Sequence, residues 1–203
     1  MAAEVSAPDS EPTEKSAKNS ASQHTGAHRS VTAGRVLVAI MLALAVFALY
    51  CYYSVQQLKH WITPSWDLAI FTQMAQAYSH FDMPIVQIKG TDFNLWGDHF
   101  HPILVLLGPV YAVSPSPLTL LVVQNFMIAA SVYMMVRFIQ RACALSSAKP
   151  EPAGTFVGVL LGAAFALSYG VQQAVAAQFH EVAFALPFLC GALGNLRSEE
   201  HTS

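Results

Sequence analysis

The stretch HPILVLLGPVYAVSPSP, His101 to Pro117, decides how this chain is laid out. Its apolar part, Ile103 to Val113, would rise only about 17 Å as a helix. The hydrocarbon core of a bilayer is roughly 30 Å thick. The stretch therefore predicts a re-entrant or interfacial helix over 102–113 that does not cross. Pro102 suits the first helical position, with His101 just outside it. The SPSP at Ser114–Pro117 ends the helix, because proline lacks an N–H and restricts the residue before it.

Whether that helix crosses fixes the side on which everything else lies. The chain of 203 residues is 54% hydrophobic and only 11% charged, against about a quarter charged in soluble domains. This composition predicts an all-α, polytopic helical membrane protein whose first partner is the lipid bilayer. Runs long enough to span predict crossings at about 36–55, 118–136 and 155–177, with a fourth, truncated, at 182–196. Arg29 and Arg35 flank the first run, and Arg137, Arg141 and Lys149 follow the second. The segment 56–116 carries only Lys59 and Lys89, beside Asp67, Asp82, Asp92 and Asp98. The positive-inside rule then puts the N-terminus and the 137–152 loop inside, and 56–116 and about 174–181 outside. That assignment works only if 102–113 turns back, so length and charge agree.

Composition also excludes several classes. A net charge of −2 gives no footprint for nucleic acid. The 3 cysteines, Cys51, Cys143 and Cys190, form no CxxC and no disulfide framework. Residues 1–34, rich in Ala, Ser, Glu, Lys and Pro, read as a disordered cytoplasmic tail and lack the apolar core of a signal peptide. The closing RSEEHTS, Arg197–Ser203, reads as an in-frame sequencing-adapter scar. On that reading the chain is the N-terminal piece of a longer protein.

The outer face collects the ionisable groups, which are costly at a membrane and usually functional. Asp67 opens a predicted amphipathic surface helix over 66–81. Its apolar positions Ile70, Phe71, Met74, Ala77, Tyr78 and Phe81 recur at helical spacing, and Trp66 is an interfacial anchor. An acid there also suits a helix N-terminus. GDHFHP, Gly97–Pro102, supplies Asp98, His99 and His101. These three, with His180 as a fourth, could ligate a divalent metal, which wants three or four donors. Without a metal the two histidines could serve as acid/base or phosphate-binding groups, or form a polar lip without chemistry. No other cofactor is expected. His180-Glu181 opens the last apolar run, where Glu181 is either a capping acid or a functional one.

WDLAIFTQ, FNLWGDHFHPILVLLGPVYAV, SPSPLTLLVVQ and FHEVAFALPFL resemble a bacterial membrane-protein family filed as domain of unknown function 2079, with actinobacterial members looking closest. The resemblance runs from about Arg35 to Leu196. That family is similar to the GT-C glycosyltransferases, which take sugars from polyprenyl-phosphate donors at the outer face of the cytoplasmic membrane. The resemblance implies the N-terminal part of a GT-C-like fold. It implies Asp67 as the first-loop acid and catalytic base, His101-Pro102 as the polar-Pro element, and Glu181 or His180 as the second outer acid. Asp98, His99 and His180 would then contact substrate. Position 67 has no Asp-Glu or Asp-x-Asp pair, and no HPP occurs. The other classes are a transporter or lipid-binding protein using the same polar groups for recognition, and an assembly subunit without chemistry.

Overall fold

The computed structural model describes the backbone over residues 11–62, 66–146 and 152–199, and side-chain packing over 32–62, 66–144 and 153–193. The described chain is all-α, with one isolated antiparallel bridge between Ile85 and Asn94. Helix α1 runs Glu11–His60, α2 Trp66–Ser79, α3 Leu107–Val113 and α4 Pro117–Ser146. Then follow α5 (Pro152–Ala166), α6 (Tyr169–Ala176) and α7 (Ala185–Glu199). Among the described residues, two helical segments are long and apolar enough to cross a membrane, Thr32–His60 and Pro117–Ala144. A third crossing exists if the bent pair α5–α6 counts as one.

Long-range contacts set the direction of each helix. At one end the Gln140 side chain of α4 donates to the Arg35 carbonyl of α1, 3.3 Å. At the other end Asn125 donates to the Ser54 hydroxyl, 3.0 Å. Helices α1 and α4 are therefore antiparallel. Helix α5 runs back along α4, with Gly154 against Cys143 and Gly158 against Gln140 and Val136. A Cβ on Gly162 would sit 2.3 Å from a Val136 methyl carbon, so only glycine lets these two backbones come so close. The bundle core comprises Ala39, Val46 and Tyr50 of α1, Ile128, Val132 and Val136 of α4, and Ala166.

The predicted span 155–177 is bent by 43° between Ala153–Ala166 and Tyr169–Ala176. A break in a helix exposes carbonyls that need partners. Tyr50 of α1 donates its hydroxyl to the Ala166 carbonyl, 2.5 Å, and the Gln172 amide donates to the Leu167 carbonyl, 2.6 Å. The bend is thus held from α1 as well as from within. The predicted fourth span begins as a 3₁₀ turn, Glu181–Phe184, and its apolar helical part, Glu181–Leu193, is shorter than a crossing requires.

The short segment is a helix in two parts. Pro102–Leu106 is a 3₁₀ turn with His101 at its N-cap and Pro102 at the first position, and α3 continues it to Val113. This segment lies on α2 so tightly that a Cβ on Gly108 would meet the Tyr78 carbonyl oxygen at 2.7 Å. The apolar face of α2 (Leu68, Ile70, Phe71, Met74, Ala75 and Tyr78) is buried against this segment and the start of α4. A helix resting its apolar face on lipid was expected; the protein covers that face instead. The helix also ends at Ser79, and Phe81, with φ 60° and 95% exposure, is off the buried face.

At the N-terminus the structure departs from composition. The tail expected to be disordered lies outside the described residues over 1–10 and is helical from Glu11. Its Ala, Glu and Lys are strong helix formers, and the span supplies a helix already nucleated for them to extend. Helix α7 likewise continues past the expected boundary at Leu196 to Glu199, and residues 200–203 lie outside the description.

Candidate functional site

The polar motifs meet at the end of the bundle where Ser54 pairs with Asn125. Phe71 of α2 is their meeting point. Its ring packs edge-on against His99, with centroids 5.9 Å apart, and at a tilt of 56° against Phe179, 5.1 Å. Phe179 in turn touches Phe184, 6.3 Å. Three stretches distant in sequence, WDLAIF, GDHFHP and FHEVAF, therefore share one aromatic core. Phe71 is 2% exposed and Phe179 fully buried, so this junction is fixed by packing.

Two of the expected catalytic residues face one space. His101 and Glu181 line a cavity of about 580 Å³ whose other walls include Phe184, Phe188 and Leu189. His180 Nδ1 lies 3.7 Å from a Glu181 carboxylate oxygen. The Glu181 side chain is 19% exposed, against 42% for that of His180. The His99 and His101 rings are 6.1 Å apart, tilted by 46°.

Asp98 turns elsewhere. Its carboxylate accepts from the Lys89 ammonium and lies 3.0 Å from His99 Nδ1. The Lys89 hydrogen bond, aided by the charges of His99 and Lys89, holds the Asp98 carboxyl below the usual carboxylate range. Lys89 also sits 5.0 Å from the Phe93 ring centroid, a cation–π distance. Asp98 has helical torsions after a 3₁₀ turn at Leu95–Gly97, and its carboxylate meets Lys89. Of the expected metal set Asp98, His99 and His101, Asp98 is thus paired with Lys89 and His99. Among the described residues no three His, Cys, Asp or Glu side chains are arranged to hold an ion.

Asp67 stands in the first turn of α2, where the helix dipole favours an acid. Among the described residues its side chain makes no hydrogen bond or ion pair, and it does not line the His101–Glu181 cavity. It is one turn before Phe71 on the same face of α2, adjacent to the junction but not in it.

Sequence reasoning missed the residue that holds His180-Glu181 in place. Gln124 of α4 is fully buried. Its Nε2 donates to the Gln178 carbonyl, 2.8 Å, and its Oε1 accepts from the His180 N–H, 2.6 Å. One carboxamide thus pairs with the chain as a neighbouring strand would. Gln57 of α1 donates to the Ala176 carbonyl, 2.8 Å, just upstream. The signal was present: Gln124-Asn125 is a polar pair inside the apolar run 118–136, and such residues in spans face partners.

The family model described as "Predicted membrane protein (DUF2079)" matches residues 57–200, and the chain belongs to that family. No curated protein and no solved structure matches it.

Proposed function

We propose that this protein is a multi-pass protein of the bacterial cytoplasmic membrane with its N-terminus inside. On this reading it carries a GT-C-like site for sugar transfer from a polyprenyl-phosphate donor at the outer face. The observation carrying the reading is the shared cavity of His101 and Glu181. It joins an acid and an imidazole to an apolar wall, which suits a substrate with an ionic head and a lipid chain. The orientation rests on Arg35 and Gln140 meeting at the end opposite to the motifs, with Arg137 also at that end through its bond to Gln140, 2.9 Å. Basic groups inside and ionisable motifs outside follow the positive-inside rule.

A general base must come within hydrogen-bond reach of the proton it takes. Sequence alone favours Asp67 for this part. The geometry favours Glu181, which lines the cavity, and leaves Asp67 a supporting position at the head of α2. His101 balances charge on the departing phosphate, while His99 and His180 flank the cavity and contact substrate. Transport is the weaker reading, because transporter sites lie near the bilayer midplane and these groups gather at one end of the bundle.

The test is transfer of labelled sugar from a polyprenyl-phosphate donor by the full-length protein in proteoliposomes. Glu181→Gln and His101→Ala should each lower turnover about 10²- to 10⁴-fold, and Asp67→Asn should lower it far less. An Asp67→Asn effect equal to that of Glu181→Gln would return the base to Asp67. Uptake of substrate without any transfer would sink the reading itself.

A further inference from the structure

A second cavity, of about 520 Å³, opens among the end of α1, the first half of α2 and the start of α4. That volume lies in the range of small-ligand sites. Trp61 and Trp66, both largely exposed, stand on it, and its polar groups are Gln57, Thr72, Gln73 and Gln178. No ionisable residue is among its described walls.

Gln178 is the telling residue. It is only 4% exposed, and its backbone is left-handed, φ 74°. That conformation is disfavoured for a residue with a Cβ, and glycine would adopt it freely. Its backbone is already committed: the carbonyl accepts from Gln124, and the N–H donates to the Val175 carbonyl, 3.1 Å. Its carboxamide, among the described residues, makes no hydrogen bond. Its polar atoms are not among the sealed, unpartnered ones; they open into the cavity, where an occupant would meet them. An amide both donates and accepts, so it matches a hydroxyl. No charged side chain is among the described walls to offset a buried anionic head.

We propose that this cavity binds the hydroxyl-bearing head of an uncharged lipid, with the Gln178 carboxamide as its recognition group. The chain lies against the apolar walls, and the two tryptophans mark the membrane interface. Gln178 and Glu181 belong to one short segment, with Phe179 and His180 between them, so their Cα atoms lie at most about 11 Å apart. In the transfer reading this occupant is the acceptor. Binding is measurable without transfer, so the two readings fail separately.

The test uses the full chain in phosphatidylcholine nanodiscs and three diazirine probes of equal chain length: hexadecanol, hexadecane and palmitate. Hexadecanol should label the cavity walls about fivefold or more over the other two, the worth of one net hydrogen bond. Gln178→Gly removes the amide and relieves the backbone. It should bring hexadecanol labelling down to the hexadecane level without lowering the thermal transition. Equal labelling by hexadecane would mean bulk lipid filling an apolar groove, and preference for palmitate would contradict an uncharged head. Undiminished labelling of Gln178→Gly would overturn the assignment. So would its unfolding, since the side chain would then serve the fold and not a ligand.

Discussion

Replacing Gln124 by methionine tests whether one buried carboxamide sets the corner that carries His180 and Glu181. Methionine keeps the unbranched shape and nearly the volume, so packing is little disturbed. The Ala174 contact at 3.4 Å is too long to count for much. The bonds to the Gln178 carbonyl, 2.8 Å, and from the His180 N–H, 2.6 Å, are both lost. A buried backbone group left unpaired costs about 1–3 kcal/mol. Two such groups give about 2–6 kcal/mol, with the low end applying if water reaches the corner. Even about 3 kcal/mol corresponds to more than a hundredfold in an opening equilibrium. Hydrogen exchange of the protein in nanodiscs should therefore show amides over 174–184 exchanging about a hundredfold faster, while those in the middle of α2 keep their protection. Unchanged exchange at His180 in Gln124→Met would refute the reasoning, because the amide would then be protected by something other than this bond.

The remaining predictions concern packing and charge. Gly162→Val should destabilise the α4–α5 contact by about 1–3 kcal/mol or more, read as a lower thermal transition in detergent, because even a Cβ there meets Val136 at 2.3 Å. Gly170→Ala, where an added Cβ meets nothing within 4 Å, should leave the transition unchanged or raise it. The Asp98 carboxyl is held below its ordinary value, first by the Lys89 hydrogen bond. The sign follows from linkage: its stabilisation is fully present above the unfolded value, about 3.9, and fades as pH falls through the lower folded value. Fluorescence of Trp96, whose indole N–H donates to the Tyr78 hydroxyl at 2.6 Å, should be flat from pH 8 to about 5 as far as this group is concerned. Asp98→Asn should shift the signal already at neutral pH.

Much of the architecture is legible in the chain because bilayer thickness is a ruler. The runs beginning near Val36 and Leu118 are long enough to cross, and Ile103–Val113 is not. The structure extends the first two to Thr32–His60 and Pro117–Ala144 and packs Ile103–Val113 on α2. His101 as cap and Pro102 as first helical residue follow from local sterics alone and appear as expected. The bend in the third run was not legible, since its supports, Tyr50 and Gln172, act on carbonyls that no pattern of side chains reveals.

The site divides along the same line. Sequence determined which ionisable groups lie outside the apolar runs and so which could meet, because burying charge in lipid is expensive wherever the chain goes. Only the tertiary structure decided who meets whom. The junction of Phe71 with His99 and Phe179 put His101 and Glu181 on one cavity, left Asp67 beside it and turned Asp98 to Lys89. Periodicity and hydropathy describe one segment against its solvent. Contacts such as that of Gln124 with His180 join residues that are neighbours only after folding, so their partners cannot be read from local pattern.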